Sequence, residues 1–597
     1  MILNRQEINE NNILNTETFE KVLKIENHKT RQKAEEELYD IAIELKKKTK
    51  FVAKYESYKK IYLNKYNALN FGEKAPISKL LGGGYYIENN SIYNYQNKKV
   101  CSQLIEPIAI YENIEEEKET IKCAFLKDGK WKTFISDRIT LLHNGRIVSL
   151  TQKGVDVSTS NASLLVKYLQ EILNLNRDVL EKKKSISRLG WYQNKFIPYD
   201  TEVEFDGEDN FRNSFNAICC KGDYETWLDE MYEIRKNKIV KILHATSLAS
   251  VLLKKLNKKP FVTMLWGTTG DGKTVAGMSA MSIWGKPTSG DLMFTLNNTD
   301  NFYYRTANFF CDIPMFCDEL ETYNGDVNKL IMNITEGIDR GKAKADGGIE
   351  KNKTWNNAFI MTGEHSASNY NSGGGTLNRL IEINSDGKII ENGSKVVNVI
   401  TNNYGFAGKK FIEKIKQVDI ETLNRIYNLE YKSLLKISNT EEKQALNMAL
   451  ILLADALACE FIFNKEKPLG PEDVVEFMFT KDEIDVSQRA YEMILDECVL
   501  NKSRFLLSDC NSLKTPEGGY NGSGEFWGHM NNYEITINKH KLEEILGKNG
   551  FSFKKTMKDW VKKGYIEKNS QGKNYTKTSV NGMKSYYVII KKKGEDE

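Results

Sequence analysis

The chain has 597 residues, 40% of them hydrophobic and 28% charged, which is enough for three or four packed domains and too apolar for a disordered protein. The formal net charge of +4 is unevenly spread, since between Phe551 and Lys593 twelve lysines face only two acidic residues, and this predicts a polyanion-binding C-terminal module. The first residues lack the apolar region of a secretory signal and no apolar run approaches a membrane span, so we expect no membrane partner. The nine cysteines are scattered without C-x-x-C spacing, so we expect neither structural zinc nor a disulfide scaffold, and a cytoplasmic protein.

Residues 1–75 are predicted to form a charged, helical N-terminal region. It ends in a basic stretch that carries tyrosines, from Lys46 to Tyr62. Such a stretch could contact nucleic acid, and a solvated helix face is the alternative interpretation.

Residues 76–223 are predicted to form a β-rich domain. Asp128-Gly129 joins two apolar runs as a hairpin, and Asn144-Gly145 marks a second turn before another apolar run. Helical patterning follows at 161–176, and a loop-rich connector then carries Leu189, Gly190 and Trp191. A long helical stretch, 224–258, leads into the next domain, which we place at 224–465.

The middle of the chain matches the phosphate-binding pattern G-x-x-x-x-G-K-[S/T]. The matching residues are Gly267, Thr268, Thr269, Gly270, Asp271, Gly272, Lys273 and Thr274. An apolar run predicts a buried strand before them and a helix is predicted after them, so the positive helix end faces the anion. Lys273 would reach the β- and γ-phosphate oxygens and the Thr274 hydroxyl would ligate Mg²⁺. The pattern predicts ATP and Mg²⁺ as ligands, and a glycine-rich turn is the alternative.

A second apolar strand ends in adjacent acidic residues. Asp318 follows the run Met315-Phe316-Cys317 and is followed by Glu319. Asp318 can hold the Mg²⁺ shell and Glu319 can polarise the attacking water. A surface acidic pair after a core strand is the alternative.

Two further strands add polar groups to this constellation. The run 358–361 leads to Thr362 and Glu364, either of which could orient the water, and an ordinary polar strand end is the alternative. Arg379 stands directly before the apolar run 380–383. In ring ATPases an arginine in this place reaches the γ-phosphate of the neighbouring subunit, and a salt bridge within its own subunit is the alternative.

The segment between the acidic strand and the third strand alternates small residues with cations. Its pattern, Arg340-Gly341-Lys342-Ala343-Lys344, suits a hairpin that projects into a channel and offers Lys342 and Lys344 to DNA phosphates. A solvated basic turn is the alternative.

The C-terminal part begins with a helical lid at about 407–465, followed by a connector at 466–530. Residues 531–597 have the element order of a winged helix, and one predicted helix presents a basic face of Lys554, Lys555, Lys558 and Lys562. Such a helix fits a major groove. A winged helix that binds protein is the alternative.

The order of these motifs resembles a family first catalogued as a domain of unknown function, which occurs in phages, pathogenicity islands and the staphylococcal cassette chromosome. Its members resemble MCM-type AAA+ replicative helicases, and the Lys342/Lys344 segment corresponds to their pre-sensor 1 hairpin. Leu189-Gly190-Trp191 also resembles that family. The resemblance implies a homo-hexameric ring that moves along DNA with ATP and loads at the origin of a mobile element. Many relatives have Asn as sensor 1, whereas here Thr362 and Glu364 compete for that role.

The fold class we predict is therefore α/β: an AAA+ P-loop ATPase core with an N-terminal α+β region and a C-terminal winged helix. The function we predict is that of a hexameric DNA helicase, with single-stranded DNA in a central pore, duplex DNA at the winged helix, and host or element-encoded replication proteins as further partners. Two alternatives remain: an origin-melting initiator or protein remodeller that does not unwind processively, and a replication regulator that uses ATP only as an assembly switch.

Overall fold

The computed structural model describes residues 7–200, 202–341, 352–368, 372–437, 439–507, 524–580 and 583–592. The helices are α1 Thr16–Leu23, α2 His28–Glu44, α3 Lys48–Tyr66, α4 Arg138–Leu141, α5 Ala162–Leu175, α6 Arg212–Ala217, α7 Tyr224–Ile234, α8 Lys238–Leu253, α9 Lys273–Ser282, α10 Asp300–Phe310, α11 Val327–Glu336, α12 Gly374–Leu377, α13 Gly393–Asn402, α14 Phe406–Ile415, α15 Ile420–Leu435, α16 Glu442–Phe461, α17 Pro471–Val474, α18 Lys481–Ile484, α19 Val486–Leu500, α20 Lys539–Lys548 and α21 Phe553–Lys562.

The strands are β1 Ala68–Asn70, β2 Lys79–Leu81, β3 Tyr85–Glu88, β4 Ser91–Asn94, β5 Lys99–Cys101, β6 Ile105–Asn113, β7 Glu119–Lys127, β8 Lys130–Asp137, β9 Glu181–Ile186, β10 Gly190–Tyr192, β11 Lys195–Ile197, β12 Glu204–Phe205, β13 Phe261–Trp266, β14 Met293–Thr295, β15 Met315–Asp318, β16 Ala358–Gly363, β17 Leu380–Asn384, β18 Phe505–Leu507, β19 Gly528–Met530, β20 Glu534–Asn538, β21 Thr576–Val580 and β22 Met583–Lys591. The chain divides into two compact units, one of residues 1–187 with 201–208 and one of 188–200 with 209–597.

The first unit combines the N-terminal helices with a β-rich part. Helices α1 to α3 enclose their own apolar cluster, which includes Phe19, Leu38 and Phe51. The larger sheet has the strand order β12-β9-β6-β7-β8 and is covered by α5, whose buried face repeats at Leu165, Leu169 and Ile172. The helical and β-rich regions that we expected as separate domains, 1–75 and 76–223, therefore lie in one unit that ends earlier.

One local expectation in this region is wrong. The apolar run after Asn144-Gly145 forms a 3-10 helix, Ile147–Lys153, instead of continuing the β structure. It packs Ile147 and Leu150 into the same core as the sheet, so burial of these residues does not require a strand. The hairpin at Asp128-Gly129 is as predicted, and both residues have positive φ angles of 52° and 73°.

The second unit is built on a parallel sheet of strand order β14-β15-β16-β13-β17. Its inner strand β13, between β16 and β17, is almost fully buried, which explains its continuous apolar sequence. Helix α8 is buried along its length and packs against α9 and α16. The predicted single helical stretch 224–258 is two helices, because the Asn237 side chain accepts the backbone N–H of Ile239 and starts α8 anew.

The connector around Trp191 also differs from the loop that we expected. Strands β10 and β11 form a hairpin, and the buried carboxylate of Asp312 accepts the backbone N–H of Trp191 at 2.7 Å. Gly190 has φ of +93°, and a Cβ there would lie 2.5 Å from Asp312 Oδ2. Burial raises the pKa of Asp312, with Lys254 Nζ 3.9 Å away as a partial counter-charge. This hairpin is therefore anchored directly before β15.

The C-terminal module begins earlier than residue 531. Helix α19 and strand β18, which lie in the predicted connector, share an apolar core with α20 and α21. The indole N–H of Trp560 donates to the Ser487 carbonyl at 2.9 Å, and the sheet order is β18-β19-β20-β22-β21. This long-range packing, across about seventy residues, is what the local pattern could not show.

One described helix, α16, is long and apolar enough to cross a bilayer by length and composition alone, although we expected no such run. However, 72% of its apolar window is buried inside the structure. It lies against α8 and α15, as the core helix of a folded domain does. No disulfide joins the described cysteines.

Candidate active site

The residues predicted for the phosphate loop, the acidic strand end and the tip of the third strand lie together at the carboxyl ends of the parallel strands. Parallel pairing places Leu265 beside Thr362 and Cys317 beside Met361. Because the strands run in the same direction, the loop after β13, the acid at the end of β15 and the tip of β16 all lie at their carboxyl ends.

The glycines of the loop 267–274 adopt conformations that other residues avoid. Gly267, Gly270 and Gly272 have φ angles of 152°, 94° and 94°. A Cβ on Gly267 would lie 1.9 Å from the Ser385 hydroxyl oxygen, and one on Gly272 would lie 3.1 Å from Ile390. The loop therefore requires glycine both for its backbone angles and for its close neighbours.

Lys273 starts α9, so the helix N-terminus and a cation lie together. Its Nζ donates to the carbonyl oxygens of Gly267 at 2.9 Å and Thr268 at 2.7 Å, which folds the side chain back over the loop. Backbone N–H groups at a helix start, together with an ammonium group, form an anion site. This arrangement suits a phosphate chain.

Asp318 is the acceptor for two hydroxyl groups. Its Oδ1 accepts Thr274 Oγ1 at 3.3 Å and also the hydroxyl of Thr362. Mg²⁺ prefers such oxygen ligands and takes one or two carboxylates together with phosphates and water. In the described ranges no cluster of three or more His, Cys, Asp and Glu is arranged to hold a metal. One carboxylate with a neighbouring hydroxyl is a donor set that fits Mg²⁺ shared with a nucleotide.

Glu319 follows directly and has a strained backbone. It is exposed, with φ of 64° and ψ of 69°, a left-handed conformation that costs a non-glycine residue about 1 kcal/mol or more. Burial of Leu320 and the 3-10 turn Leu320–Thr322 fix the chain after it. Glu319 therefore lies at the rim of the site while its neighbours are held.

Thr362 and Glu364 contact different parts of the site. Thr362 is buried and bonds Asp318, whereas the Glu364 carboxylate accepts the hydroxyl of Thr269 in the loop. The Glu364 backbone N–H donates to Glu321 Oε1, which also accepts the His365 N–H at 3.3 Å. Glu321 was not among the predicted residues, although its place two residues after Glu319 was a usable signal.

A second contact that the sequence did not reveal ties the loop to the residue that follows β17. The Ser385 hydroxyl donates to Asp271 Oδ2 at 2.6 Å, and both side chains are buried. Asp271 is thus a structural residue of the loop.

The site opens into a cavity of about 690 Å³, a size typical of ligand pockets. Its lining includes the polar residues Lys273, Thr274, Asp318, Glu319, Thr362 and Glu364. A neighbouring cavity of about 470 Å³ lies on the other side of Thr269 and Glu364 and is lined by Trp266, His365 and Asn384. The predicted residues of this group therefore surround one space.

Arg379 lies elsewhere. Its carbonyl accepts the N–H of Val262 near the start of β13. Arg379 is therefore at the amino ends of the strands, away from the loop at their carboxyl ends. The guanidinium donates to Glu336 Oε1 at 2.7 Å and to the Gly375 carbonyl at 3.1 Å. Within a single chain, Arg379 is therefore salt-bridged to its own subunit, which was the alternative interpretation.

Lys342 and Lys344 lie outside the described residues. The chain on either side of them is antiparallel, since Ile338 pairs with Thr354 and the Asp339 N–H donates to the Lys353 carbonyl at 2.8 Å. The role of the two lysines stays a prediction.

The basic helix of the C-terminal module is α21. Thr556, Met557 and Trp560 are buried, and the exposed positions hold the lysines predicted to face DNA, Lys554, Lys555, Lys558 and Lys562. The antiparallel pair β21–β22 follows as a wing. This is a helix-turn-helix arrangement with one cationic face.

Comparison with solved structures finds one that shares this fold. A structure described as the SCCmec type IV Cch active helicase aligns with a TM-score of 0.58 at 17% identity, covering 85% of this chain and 97% of that one. At this identity the similarity establishes the fold. The NrS-1 C-terminal region, residues 305–718 of that protein in an apo form, aligns at 12% identity over 81% of this chain and 96% of that one, with a TM-score of 0.29 that is too low to indicate a common fold.

Two family models match parts of the chain. Residues 82–355 match the model described as a domain of unknown function, DUF927, and residues 485–594 match the Cch helix-turn-helix domain. The search of curated proteins gave no match. The resemblance inferred from the motifs, to the helicases of staphylococcal mobile elements, is confirmed.

Proposed function

We propose that this chain is an ATP-dependent DNA helicase with an AAA+ P-loop core, which works as a homo-hexameric ring at the replication origin of a mobile genetic element. The observation that carries the proposal is the convergence of the loop 267–274, Asp318, Glu319 and Thr362 around one cavity at the carboxyl edge of the sheet. The fold similarity to a helicase and the match to a helix-turn-helix domain support the same class of function. A reducing cytoplasm suits its nine scattered cysteines, which show no C-x-x-C spacing.

Each residue of the site has a role that its contacts support. The loop N–H groups and Lys273 bind the phosphates of ATP. Bound Mg²⁺, held by Thr274 and Asp318, supplies positive charge against the phosphate oxygens. Glu319 lies at the open rim, where it polarises the attacking water, and Thr362 keeps Asp318 in place. Of the two sensor candidates, Thr362 contacts the metal-binding carboxylate and is therefore the better one.

The position of Arg379 supports a ring. Val262, whose N–H is bonded to the Arg379 carbonyl, is five residue steps before Gly267, and that length of strand spans about 16 Å. An arginine side chain reaches roughly 7 Å, so Arg379 serves no nucleotide in its own subunit. It would serve the site of a neighbour, after exchanging Glu336 for the γ-phosphate.

DNA contacts are assigned to two basic elements. The exposed α21 lysines, Lys554, Lys555, Lys558 and Lys562, contact duplex DNA, and Lys342 and Lys344 contact a single strand in the pore. Element-encoded or host replication proteins complete the partners that we propose.

The test is strand separation of a forked DNA duplex with ATP and Mg²⁺. Lys273→Ala and Glu319→Gln should abolish ATP turnover and unwinding while the α21 helix still binds duplex DNA. Lys236→Ala is the matched control. Lys236 is an exposed lysine that pairs with Glu233 at 2.6 Å and lies outside the loop 267–274, so this variant should unwind DNA normally. Unwinding by either site variant would refute the assignment.

The same assay separates the alternatives. ATP turnover without strand separation would favour the initiator or remodeller, and ATP-dependent assembly without turnover would favour the replication regulator.

A further inference from the structure

Helix α3 in the first unit carries a row of tyrosines on one face. Tyr58, Tyr62 and Tyr66 recur every four residues, so they lie on successive turns. Their ring centroids are 6.4 Å apart between the first pair and 4.8 Å apart between the second. The row starts against the N-terminal apolar cluster and ends at Tyr66, which is 58% exposed. We call these three residues the α3 ladder.

Cations surround the α3 ladder. The helix contains six lysines and a single acidic residue, Glu56. Lys54 and Lys65 are exposed and share the face of the ladder by helical spacing. Lys65 Nζ lies 5.1 Å from the centre of the Tyr66 ring, a cation–π distance that holds the charge beside the ring.

The acid that bonds to the ladder is also paired with a lysine. Glu20 of α1 accepts the Tyr58 hydroxyl at 2.7 Å and binds Lys24 Nζ at 2.9 Å. The hydrogen bond to Glu20 raises the pKa of Lys24, so that lysine stays charged. The face that surrounds Tyr62 and Tyr66 is therefore cationic and aromatic at once.

We propose that the α3 ladder and its lysines bind single-stranded DNA, with bases stacked on Tyr62 and Tyr66 and phosphates paired with Lys54 and Lys65. Aromatic rings beside a basic track are the combination that single strands recognise, because every base has a face to stack. A duplex keeps its bases stacked inside and would use only the lysines. An acidic peptide would also use the lysines and leave the ring faces unexplained.

This inference rests on the proposed function in one respect: both take single-stranded DNA as a ligand of the chain. None of its residues belongs to the ATP site, the α21 face or the segment of Lys342 and Lys344. The binding that we assign to the α3 ladder can therefore fail while ATP-driven unwinding persists, and the two outcomes can be told apart.

The experiment measures binding of the full chain to a fluorescein-labelled thymidine oligonucleotide, without nucleotide, by fluorescence anisotropy. Tyr66→Ala, an exposed change, should weaken binding about 10-fold, and Tyr62→Ala with Tyr66→Ala about 100-fold, since each stacked base contributes strongly. The corresponding Phe variants keep the ring and should bind like the parent. Tyr95→Ala is the matched control, because Tyr95 is 52% exposed and has Lys59 near its ring but lies outside the ladder.

Salt dependence separates stacking from charge. Lys54→Gln with Lys65→Gln should reduce the slope of log affinity against log salt by about 1 to 2, whereas the tyrosine variants should leave the slope unchanged. Iodouridine placed in the oligonucleotide should cross-link to the α3 peptide in the parent chain.

Equal binding by the parent and the double tyrosine variant would overturn the proposal. So would an equal loss of duplex binding in that variant, because it would indicate a damaged fold or a general charge effect, and so would full competition by polyglutamate, which would indicate an acidic protein partner. If the parent chain bound no DNA and its ATP turnover ignored DNA, the proposed function itself would fail.

Discussion

Replacement of Arg379 by alanine tests whether the ATP site is completed by a neighbouring subunit. Arg379 lies at the amino ends of the parallel strands, whereas the phosphate-binding loop of the same chain lies at their carboxyl ends. We therefore expect ATP binding by the variant to stay unchanged. We expect turnover to fall by about 10³- to 10⁵-fold, the range for loss of an arginine that stabilises phosphoryl transfer. The variant also loses the ion pair between Arg379 and Glu336, whose side chains are 29% and 46% exposed. Because the pair is partly solvated, the free energy of unfolding should change by no more than about 1 kcal/mol.

A mixing assay distinguishes a shared site from a damaged one. Arg379→Ala subunits retain Glu319, and Glu319→Gln subunits retain Arg379, so each variant alone should be inactive. In rings assembled from equal amounts, about one interface in four combines an intact Glu319 with an intact Arg379. Turnover should therefore return to about a quarter of the parent value. Arg177→Ala, which removes an exposed arginine paired with Glu119 at 2.5 Å in the first unit, is the matched control and should behave like the parent.

Two results would refute this reasoning. Parent-like turnover by Arg379→Ala would show that the arginine has only the structural role seen in its pairing with Glu336. An inactive mixture, with mixed assembly shown by differently tagged subunits, would show that the two residues do not meet across an interface.

Three further changes test other parts of the structure. Thr362→Val removes the hydroxyl bonded to Asp318 and should lower steady-state ATP turnover about 100-fold with little change in nucleotide affinity; normal turnover would leave Glu364 as the sensor. Burial raises the pKa of Glu106 from 4.5 to about 8, so the parent loses stability as pH rises from 4.5 to about 8; Glu106→Gln should match the parent at pH 4.5 in urea unfolding and exceed it by up to about 4 kcal/mol at pH 8. Arg235→Ala leaves the buried carboxylate of Asp455 without its closest cationic partner, which lies at 2.9 Å, and should cost about 3 kcal/mol in urea unfolding, whereas an unchanged unfolding midpoint would contradict that account.

The nucleotide site could be proposed from the sequence because each of its parts is local. A strand, a glycine loop and a helix follow one another between residues 261 and 282, and their chemistry depends on neighbours a few residues away. The apolar run before Asp318 likewise ends where strand β15 ends. Parallel pairing then brings such strand ends together without further information.

The contacts that sequence reasoning missed are those between distant segments. Ser385 binds Asp271 from more than a hundred residues away, and the Trp560 indole binds Ser487 across the C-terminal core. Neither pair has a periodic or compositional signature, because each involves ordinary polar residues whose partner is set by packing. The start of the winged-helix module was misplaced for this reason.

The spacing between the loop and its acidic partner depends on a residue that takes no part in the chemistry. Helix α9 crosses β15 so closely that a Cβ on Gly277 would lie 2.2 Å from the Phe316 ring, which is fully buried. Any larger residue at 277 must push the helix away from the strand, and Thr274 lies one turn before it on the same helix. The distance of 3.3 Å between Thr274 Oγ1 and Asp318 Oδ1 is therefore set by the packing of a glycine against an aromatic ring. The pattern G-x-x-x-x-G-K-[S/T] ends at Thr274, but the geometry that keeps the Thr274 hydroxyl beside the Asp318 carboxylate requires Gly277 as well.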